Sequence, residues 1–291
     1  MSRLMRYLLF TFIIVWIIVG IPARSGSLGN ALTLCMLMPA LGALLVKADI
    51  KGMGWRLRLS QNWRYIAFAW LAPTVFQLIG AAFYFLVFPE DFAPAEAFQR
   101  WMPAEDHAQF LSEGSPYAAV VANEIFSTLA SFDITIALVL ALGEEIGWRG
   151  YMYPELKEKF GRTKGLLIGG VIHGAWHFPA MILFGYEYGK HYIGAPLLGL
   201  AVFCLFTAAM GIIADFLYVK SGSIWLPAIF HAMINGSLSP RIVSADAHPE
   251  LSVFGPVDVG LIAMLPMVMC AAFLLWYQYK REQMGSEEYF S

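Results

Sequence analysis

Charged side chains are scarce in this 291-residue chain. Asp, Glu, Lys and Arg make up 14% of it, 59% of the residues are hydrophobic and the mean hydropathy is +0.62. Because soluble domains carry about 25% charged residues, this shortage excludes a soluble globule and predicts an integral membrane protein. The formal net charge of −2 also lacks the basic excess typical of nucleic-acid binding, so no nucleic-acid partner is expected.

Cysteine is equally sparse. Cys35, Cys204 and Cys270 stand alone in apolar segments. Their number is odd and their spacing matches no metal motif, so neither a disulfide framework nor a cysteine metal site is predicted. We interpret all three as small core residues.

Long apolar runs are what the chain does contain. A helix that spans a bilayer needs roughly 20 apolar residues, and eight segments are candidates: 5–22, 29–47, 63–88, 117–143, 164–185, 192–218, 222–238 and 257–278. The predicted fold class is all-α, a polytopic membrane protein with about eight transmembrane helices in one bundle. Residues 1–291 are expected to form a single transmembrane domain, with a motif-bearing catalytic core at about 117–238.

Basic residues divide unevenly between the predicted loops. With the N-terminus in the cytoplasm, the inner segments hold 15 Lys and Arg residues and the outer segments hold 4. The positive-inside rule then predicts that both termini are cytoplasmic. The absence of an obvious transit peptide favours a prokaryotic plasma membrane. The longest outer loop, about 89–116, is acidic and is expected to include a short interfacial helix.

Three polar clusters interrupt the later apolar segments. Ionisable side chains are costly in hydrocarbon and usually serve a function there. The clusters are Glu144-Glu145 with Arg149, His173 with His177, and His231 with Asn235. Their joint occurrence predicts one polar chamber inside the bundle, expected to open toward the cell interior because basic loop residues follow the first cluster. Acid, imidazole and amide groups together indicate hydrolysis.

Spacing within the clusters also predicts local structure. Residues four apart share a helix face, which lets Arg149 pair with a carboxylate and hold it charged. Asn235 can donate hydrogen bonds to a developing oxyanion. Gly170 and Gly174 form a small-xxx-small face that lets another helix come close, and Pro179 is expected to kink the helix just after the histidines.

Nearby polar and aromatic residues have plainer interpretations. Trp148, Tyr151 and Tyr153 are interpreted as anchors at the membrane interface. Asp133 is a candidate partner of a histidine or a candidate for the chamber wall. Asp215, late in the sixth segment, carries less weight.

The polar clusters resemble the CAAX protease and bacteriocin-processing family, also called the ABI family. Its pattern is E-E-x-x-x-R, then F-x-x-x-H, then H-x-x-x-N or H-x-x-x-D. The matching residues are Glu144-Glu145 and Arg149, then His177, then His231 and Asn235. The resemblance covers roughly 140–238. Position 173 departs from the family pattern, because it holds His where the family usually has Phe. We expect His173 to add a polar contact there.

The resemblance implies a glutamate-dependent intramembrane endopeptidase that needs no metal and no organic cofactor. Its partners would be the lipid bilayer and a peptide or protein substrate at the membrane, prenylated in the CAAX branch. The implied roles are a general base at Glu144, assisted by His177; oxyanion donors at His231 and Asn235; and orienting residues at Glu145 and Arg149. The residue pattern alone does not decide which glutamate is the base.

Two other functions stay open at this stage. A zinc metallopeptidase would use the helical spacing of His173 and His177, completed by His231 or a glutamate, although no His-Glu-x-x-His run exists. A non-catalytic immunity, scaffold or transport protein would use the same polar chamber to bind or to relay protons.

Overall fold

The computed structural model describes residues 1–22, 28, 30–102, 104–112, 117–130, 134–236 and 239–283. Over these residues the fold is helical, and its one β feature is an isolated bridge between Phe92 and Ser244. The predicted all-α class is confirmed. Asp133 lies outside the described residues.

The helices connect in the following order. They are α1 Arg3–Gly20, α2 Ala31–Cys35, α3 Met38–Leu45, α4 Leu59–Val87, α5 Pro94–Trp101, α6 Ala104–Ser112, α7 Tyr117–Ala130, α8 Ile134–Gly147, α9 Tyr153–Phe160, α10 Arg162–Trp176, α11 Phe178–Phe184, α12 Leu197–Ser221, α13 Trp225–Asn235 and α14 Leu265–Gln283. A π turn, Trp148–Met152, joins α8 to α9 without a break, so 134–160 is one continuous helix.

In the part of the chain that the structure describes, four segments are long and apolar enough to cross a membrane: α1, α4, α10 with α11, and α12. Each predicted span contains helix, but the count of eight is not confirmed. The second span breaks between α2 and α3. The seventh, α13, has 11 residues, or about 17 Å, against a hydrocarbon core of about 30 Å. The helix of the eighth span begins only at Leu265.

The acidic loop after α4 contains two short helices, α5 and α6, where the sequence predicted one. Arg100 in α5 donates hydrogen bonds to the carbonyl oxygens of Ser244 and Ala245. The loop therefore packs against the segment that follows α13, at the end of the bundle where α4 ends.

Helices α10 and α12 pack closely against each other at two glycines of α10. A Cβ on Gly170 would lie 2.3 Å from Ala208 Cα, and one on Gly174 would lie 2.8 Å from Cys204 Sγ. Thr207 Oγ1 donates to the Gly170 carbonyl at 2.9 Å. The small-xxx-small face was predicted correctly, because the absence of side chains at these glycines brings the two backbones together.

The predicted kink lies at His177, between α10 and α11. His177 caps α10, and Pro179 occupies the first turn of α11, where its missing N–H leaves no helical bond unmade. The two helices together still form one candidate span, 162–184. His177 therefore lies at the junction of α10 and α11 and not inside a regular helix.

Replacing Gly170 by Ala tests the α10–α12 contact. The new methyl group would meet the backbone of Ala208, so the helices must separate. We expect the free energy of unfolding to fall by about 1–3 kcal/mol, as for other overpacked sites. Thermal unfolding in detergent measures the change. Gly20→Ala is the control, because a Cβ there meets no atom within 4 Å; equal unfolding temperatures for the two variants would contradict the close packing.

Candidate active site

Glu144 and Glu145 lie in the middle of the continuous helix 134–160. Their side chains are 2% and 0% exposed, which excludes a solvated helix end. Successive residues on a helix point about 100° apart, so the two carboxylates reach different neighbours. The π turn that begins at Trp148 follows directly, and such turns are frequent at functional sites.

Glu145 is the centre of a buried ion pair. Its Oε1 accepts hydrogen bonds from Arg149 Nη1 and from His231 Nδ1, both at 2.8 Å. The Arg149 guanidinium also lies 4.8 Å from the ring centroid of Tyr153. Because a carboxylate accepts, the Nδ1 of His231 carries a proton and its Nε2 is left for other partners. The predicted pairing of Arg149 with a carboxylate is present.

Glu144 has a separate set of partners. Its Oε2 accepts from Trp148 Nε1 at 2.9 Å and contacts His173 Nε2 at 3.2 Å. Both contacts end on Oε2, so Oε1 is the oxygen available to a water molecule. His173 therefore makes the polar contact that the departure from Phe suggested. Its Nδ1 is buried with no hydrogen-bond partner among the described residues.

The three histidines surround one another. The ring centroid of His173 lies 5.4 Å from that of His177 and 6.1 Å from that of His231. His177 Nδ1 donates to the His173 carbonyl at 3.1 Å, so its Nε2 keeps a free lone pair. Among the described contacts, Glu144 bonds to His173 and not to His177. A water molecule must therefore bridge Glu144 and His177 if the two act together.

A cavity of about 330 Å³ adjoins this group. Its wall includes His173, His177, His231 and Asn235. Asn235 is the last residue of α13 and is exposed, whereas Glu144 is not part of the wall and lies behind His173. The cavity thus brings together residues from α10, α13 and the kink at His177, with the carboxylates of α8 directly beneath them.

Most of the cavity wall comes from the half of the bundle that carries the acidic loop. Its other wall residues come from the second half of α4, the first half of α12 and the segments 186–187 and 257–259. All of these lie toward the end of the bundle where α4 ends and α12 begins, the end that carries the acidic loop. The expectation of a chamber open toward the basic, predicted cytoplasmic, side stays a prediction, although Glu144 and Glu145 stand mid-helix and not at a helix end.

The aromatic residues after Glu145 are buried, which corrects their interpretation as interfacial anchors. Trp148 and Tyr153 are 0% exposed and Tyr151 is 5% exposed. Trp148 binds Glu144, and Tyr153 covers Arg149. Composition cannot distinguish a tryptophan at the lipid surface from one that donates to a buried carboxylate.

Four further polar residues have a place in the structure. Asp215 pairs with Lys157 Nζ at 2.5 Å, which gives it a structural partner. Gln77, Glu187 and Asp258 line the cavity and were not predicted. The one available signal for Gln77 was an amide within an apolar segment, whereas Glu187 and Asp258 lie in loops with no motif.

No metal-binding group occurs within the described residues: no set of three or more His, Cys, Asp or Glu side chains is arranged to hold an ion. The zinc alternative therefore lacks a ligand set in this part of the chain. His173 and His177, although four residues apart, use one nitrogen each on Glu144 Oε2 and on a carbonyl oxygen.

Comparison with known proteins identifies relatives of the motif-bearing segment. Residues 126–237 match the family described as type II CAAX prenyl endopeptidase Rce1-like. A protein of Methanococcus maripaludis named CAAX prenyl protease 2 is 31% identical over 130 residues. That match covers 41% of this chain and 46% of the relative, so the chain spans about half the length of the relative it matches. The resemblance drawn from the sequence motifs is confirmed for this segment.

Removing Arg149 tests the buried ion pair. Arg149→Met leaves Glu145 without its guanidinium partner in a site that excludes water, and we expect the free energy of unfolding to fall by about 3–5 kcal/mol. The double variant Glu145→Gln/Arg149→Met removes both charges and should recover part of that loss. Thermal unfolding of both variants in detergent is the measurement. A single variant as stable as the double variant would show that Glu145 does not depend on Arg149.

Proposed function

We propose, from the kinship of residues 126–237 with CAAX prenyl endopeptidases, that this protein is a membrane-embedded endopeptidase. In this proposal a water molecule activated by Glu144 hydrolyses the peptide bond. One observation supports it above all others. Histidines and an asparagine from α10, α13 and the kink between α10 and α11 line a single polar cavity, and the buried glutamates of α8 bond to two of these histidines, so the acid, imidazole and amide groups that such hydrolysis requires lie together.

The base would be Glu144. Trp148 and His173 hold its Oε2, so Oε1 is left to accept a proton from a water molecule. His177, whose Nε2 has a free lone pair, would accept the second hydrogen bond of that water and orient it. As the water oxygen attacks the carbonyl carbon, its proton passes to Glu144. The same proton then moves to the leaving amine when the C–N bond breaks.

His231 and Asn235 would stabilise the oxyanion of the tetrahedral intermediate. The bond from His231 Nδ1 to Glu145 orients the ring so that Nε2 faces the cavity. Donation from Nε2 requires a protonated ring, whose charge Glu145 balances. Asn235 adds an amide donor one helical turn further along α13. Donors placed before the reaction cost no reorganisation when the negative charge develops.

Glu145 and Arg149 would act as positioning residues. Both are fully buried and neither lines the cavity, so they reach the reacting atoms through His231. The bond from Glu145 fixes the plane of the His231 ring, because a hydrogen bond at one ring nitrogen sets the orientation of a histidine.

The substrate would be a peptide or protein segment associated with the bilayer. The relative is named a prenyl protease. For this chain we propose a membrane-associated peptide substrate. Peptides with a prenylated C-terminus are the first substrates to assay. Both termini are proposed to be cytoplasmic, and the membrane a prokaryotic plasma membrane. The non-catalytic alternative uses the same cavity, and loss of turnover on substitution of the base separates it from the enzyme.

Glu144→Gln tests the proposed base. The amide keeps the shape of the side chain but cannot take a proton, and general-base catalysis contributes about 10²–10⁴-fold. We expect cleavage of a quenched CAAX-type peptide by the purified protein to fall at least ~100-fold. Glu158→Gln is the matched control, because Glu158 is exposed on the same continuous helix. Cleavage by Glu144→Gln at the parental rate would refute this role.

His173→Phe tests whether His173, which stands where the family usually has Phe, contributes to catalysis through its contact with Glu144. The change removes a donor to Glu144 Oε2, and a hydrogen bond to a charged group is worth about 1.5–3 kcal/mol. We expect kcat to fall about tenfold with little change in KM, because His173 acts on the base and not on peptide binding.

His173→Gln, which keeps a donor, should restore part of kcat in the same assay. A purely structural role predicts the reverse order, since Phe is the residue that fills this position in the family pattern. Equal kcat values for Phe and the parent would exclude a positioning role for His173.

A further inference from the structure

A second polar group lies in the cavity, apart from the three histidines. Glu187, in the loop between α11 and α12, and Asp258, in the loop before α14, both contribute to the wall. Neither carboxylate forms an ion pair with a Lys or Arg side chain of the described residues. Arg241 approaches Glu187 only through the backbone, with Nη2 donating to the Glu187 carbonyl at 3.1 Å.

The surroundings of the two carboxylates disfavour their negative charge. Asp258 is half-buried in the same cavity wall, close enough to Glu187 for the two negative charges to oppose each other. Burial raises the pKa of Glu187, by more than its bond from Tyr186 and the charge of Arg241 lower it. A raised pKa means that the charged form is poorly accommodated, so a cation placed between the two carboxylates would be stabilised.

Gln77 supplies an independent observation. It lies on α4, far from both loops in sequence, yet it lines the same cavity and is only 4% exposed. No described hydrogen bond uses its side chain, and its amide is not among the buried polar atoms that lack a partner, so the amide is accessible from the cavity. The carbonyl oxygen of this amide is an acceptor of the kind that an ammonium or a guanidinium group requires.

The loop that carries Glu187 contains three residues with a left-handed backbone conformation. Glu187 has a φ of 71°, and Gly185 and Gly189 on either side have φ values of 69° and 79°. Glycine adopts this backbone region at no steric cost, whereas a glutamate adopts it only at a steric cost. The tight loop presents the Glu187 side chain at the cavity wall.

The approach to the acid pair is acidic as well. A neighbouring cavity of about 610 Å³ shares Glu187 with the first and leads toward the loops after α4 and α13. Asp91 and Asp246 also line it, with Arg241 and His248 as the described basic groups. Asp246 pairs with Arg100 at 3.3 Å, which leaves Asp91 and Glu187 against Arg241, and a path with this excess of negative charge attracts a cation.

We propose that Glu187, Asp258 and Gln77 form a subsite that binds a Lys or Arg side chain of the peptide substrate. The proposal rests on the proposed function, because the subsite shares its cavity with the base and the oxyanion donors. A space of about 330 Å³ is roughly 7 Å across, which is the length of about two extended residues. The basic residue should therefore lie within about three residues of the scissile bond.

Matched peptides test the subsite in the intact protein in detergent. A quenched peptide series carries one Lys at successive positions on both sides of the scissile bond, and a second series carries acetyl-lysine at the same positions. At pH 8 we expect the kcat/KM for Lys to exceed that for acetyl-lysine about tenfold at one or two positions, mostly through KM. A Glu peptide should be the poorest substrate.

The variant Glu187→Gln/Asp258→Asn should bring the Lys to acetyl-lysine ratio close to one. Each single variant and Gln77→Leu should lower the ratio in part. Glu250→Gln is the control, because Glu250 is an exposed acid at the same end of the bundle and lies outside both cavities. Thermal unfolding of every variant checks that the fold is intact, and the wild-type comparison of Lys with acetyl-lysine needs no variant.

Binding to the Glu144→Gln protein separates this proposal from the proposed function. If the wild type cleaves no peptide but the Lys peptide binds about tenfold more tightly than the acetyl-lysine peptide, the subsite stands and the peptidase assignment fails. If peptides are cleaved with no preference for Lys at any position, the subsite is wrong and the peptidase stands. A preference that survives in the double variant, or equal binding of the two peptides, overturns the subsite.

Discussion

Two adjacent carboxylates buried in one helix are the constraint on which this structure depends. An uncompensated carboxylate inside a protein is costly by several kcal/mol, so each of the two requires partners from elsewhere in the fold. Glu145 finds them in Arg149 on its own helix and His231 on α13. Glu144 finds them in Trp148 and in His173 on α10. Compensation of the two charges thus holds α8, α10 and α13 in one arrangement, and the polar cavity lies where they meet.

The packing of α10 determines how precisely that arrangement is held. Gly170 and Gly174 let α12 approach α10 at backbone contact, so the helix that carries His173 has little freedom to shift. Just beyond, the kink at His177 turns a second imidazole toward the first. The glycine face of α10 and the kink before Pro179 together place the imidazole rings of His173 and His177 near Glu144. Of the two, only His173 forms a hydrogen bond with Glu144.

Much of this site follows from residue spacing. Pairs four apart on a helix share a face whatever the tertiary fold, which is why the link between Glu145 and Arg149 and the proximity of His173 and His177 were predictable. The close approach of a helix at Gly170 was predictable for a similar reason, since small residues leave room for a neighbour. The family resemblance of this segment rested on the same residues and was confirmed.

Other features could not be predicted from local pattern. Hydropathy does not separate an aromatic ring that faces lipid from one that covers a buried charge, so Trp148 and Tyr153 were misread. It also does not reveal that the second apolar segment breaks and that α13 has only 11 residues, so the count of eight spans remains a prediction. Gln77, Glu187 and Asp258 belong to no common motif, and only the fold brings them to one wall.

The amino-acid sequence by itself determined that the chain is helical and apolar, and which polar side chains share a helix face, because helical periodicity and the cost of charge in hydrocarbon act on neighbouring residues. Tertiary structure alone decided which glutamate meets which histidine, and that Gln77, Glu187 and Asp258 reach one cavity wall. Those outcomes depend on contacts between residues far apart in the chain, such as Glu145 with His231, and the relative placement of separate helices is not encoded in the spacing within any one of them.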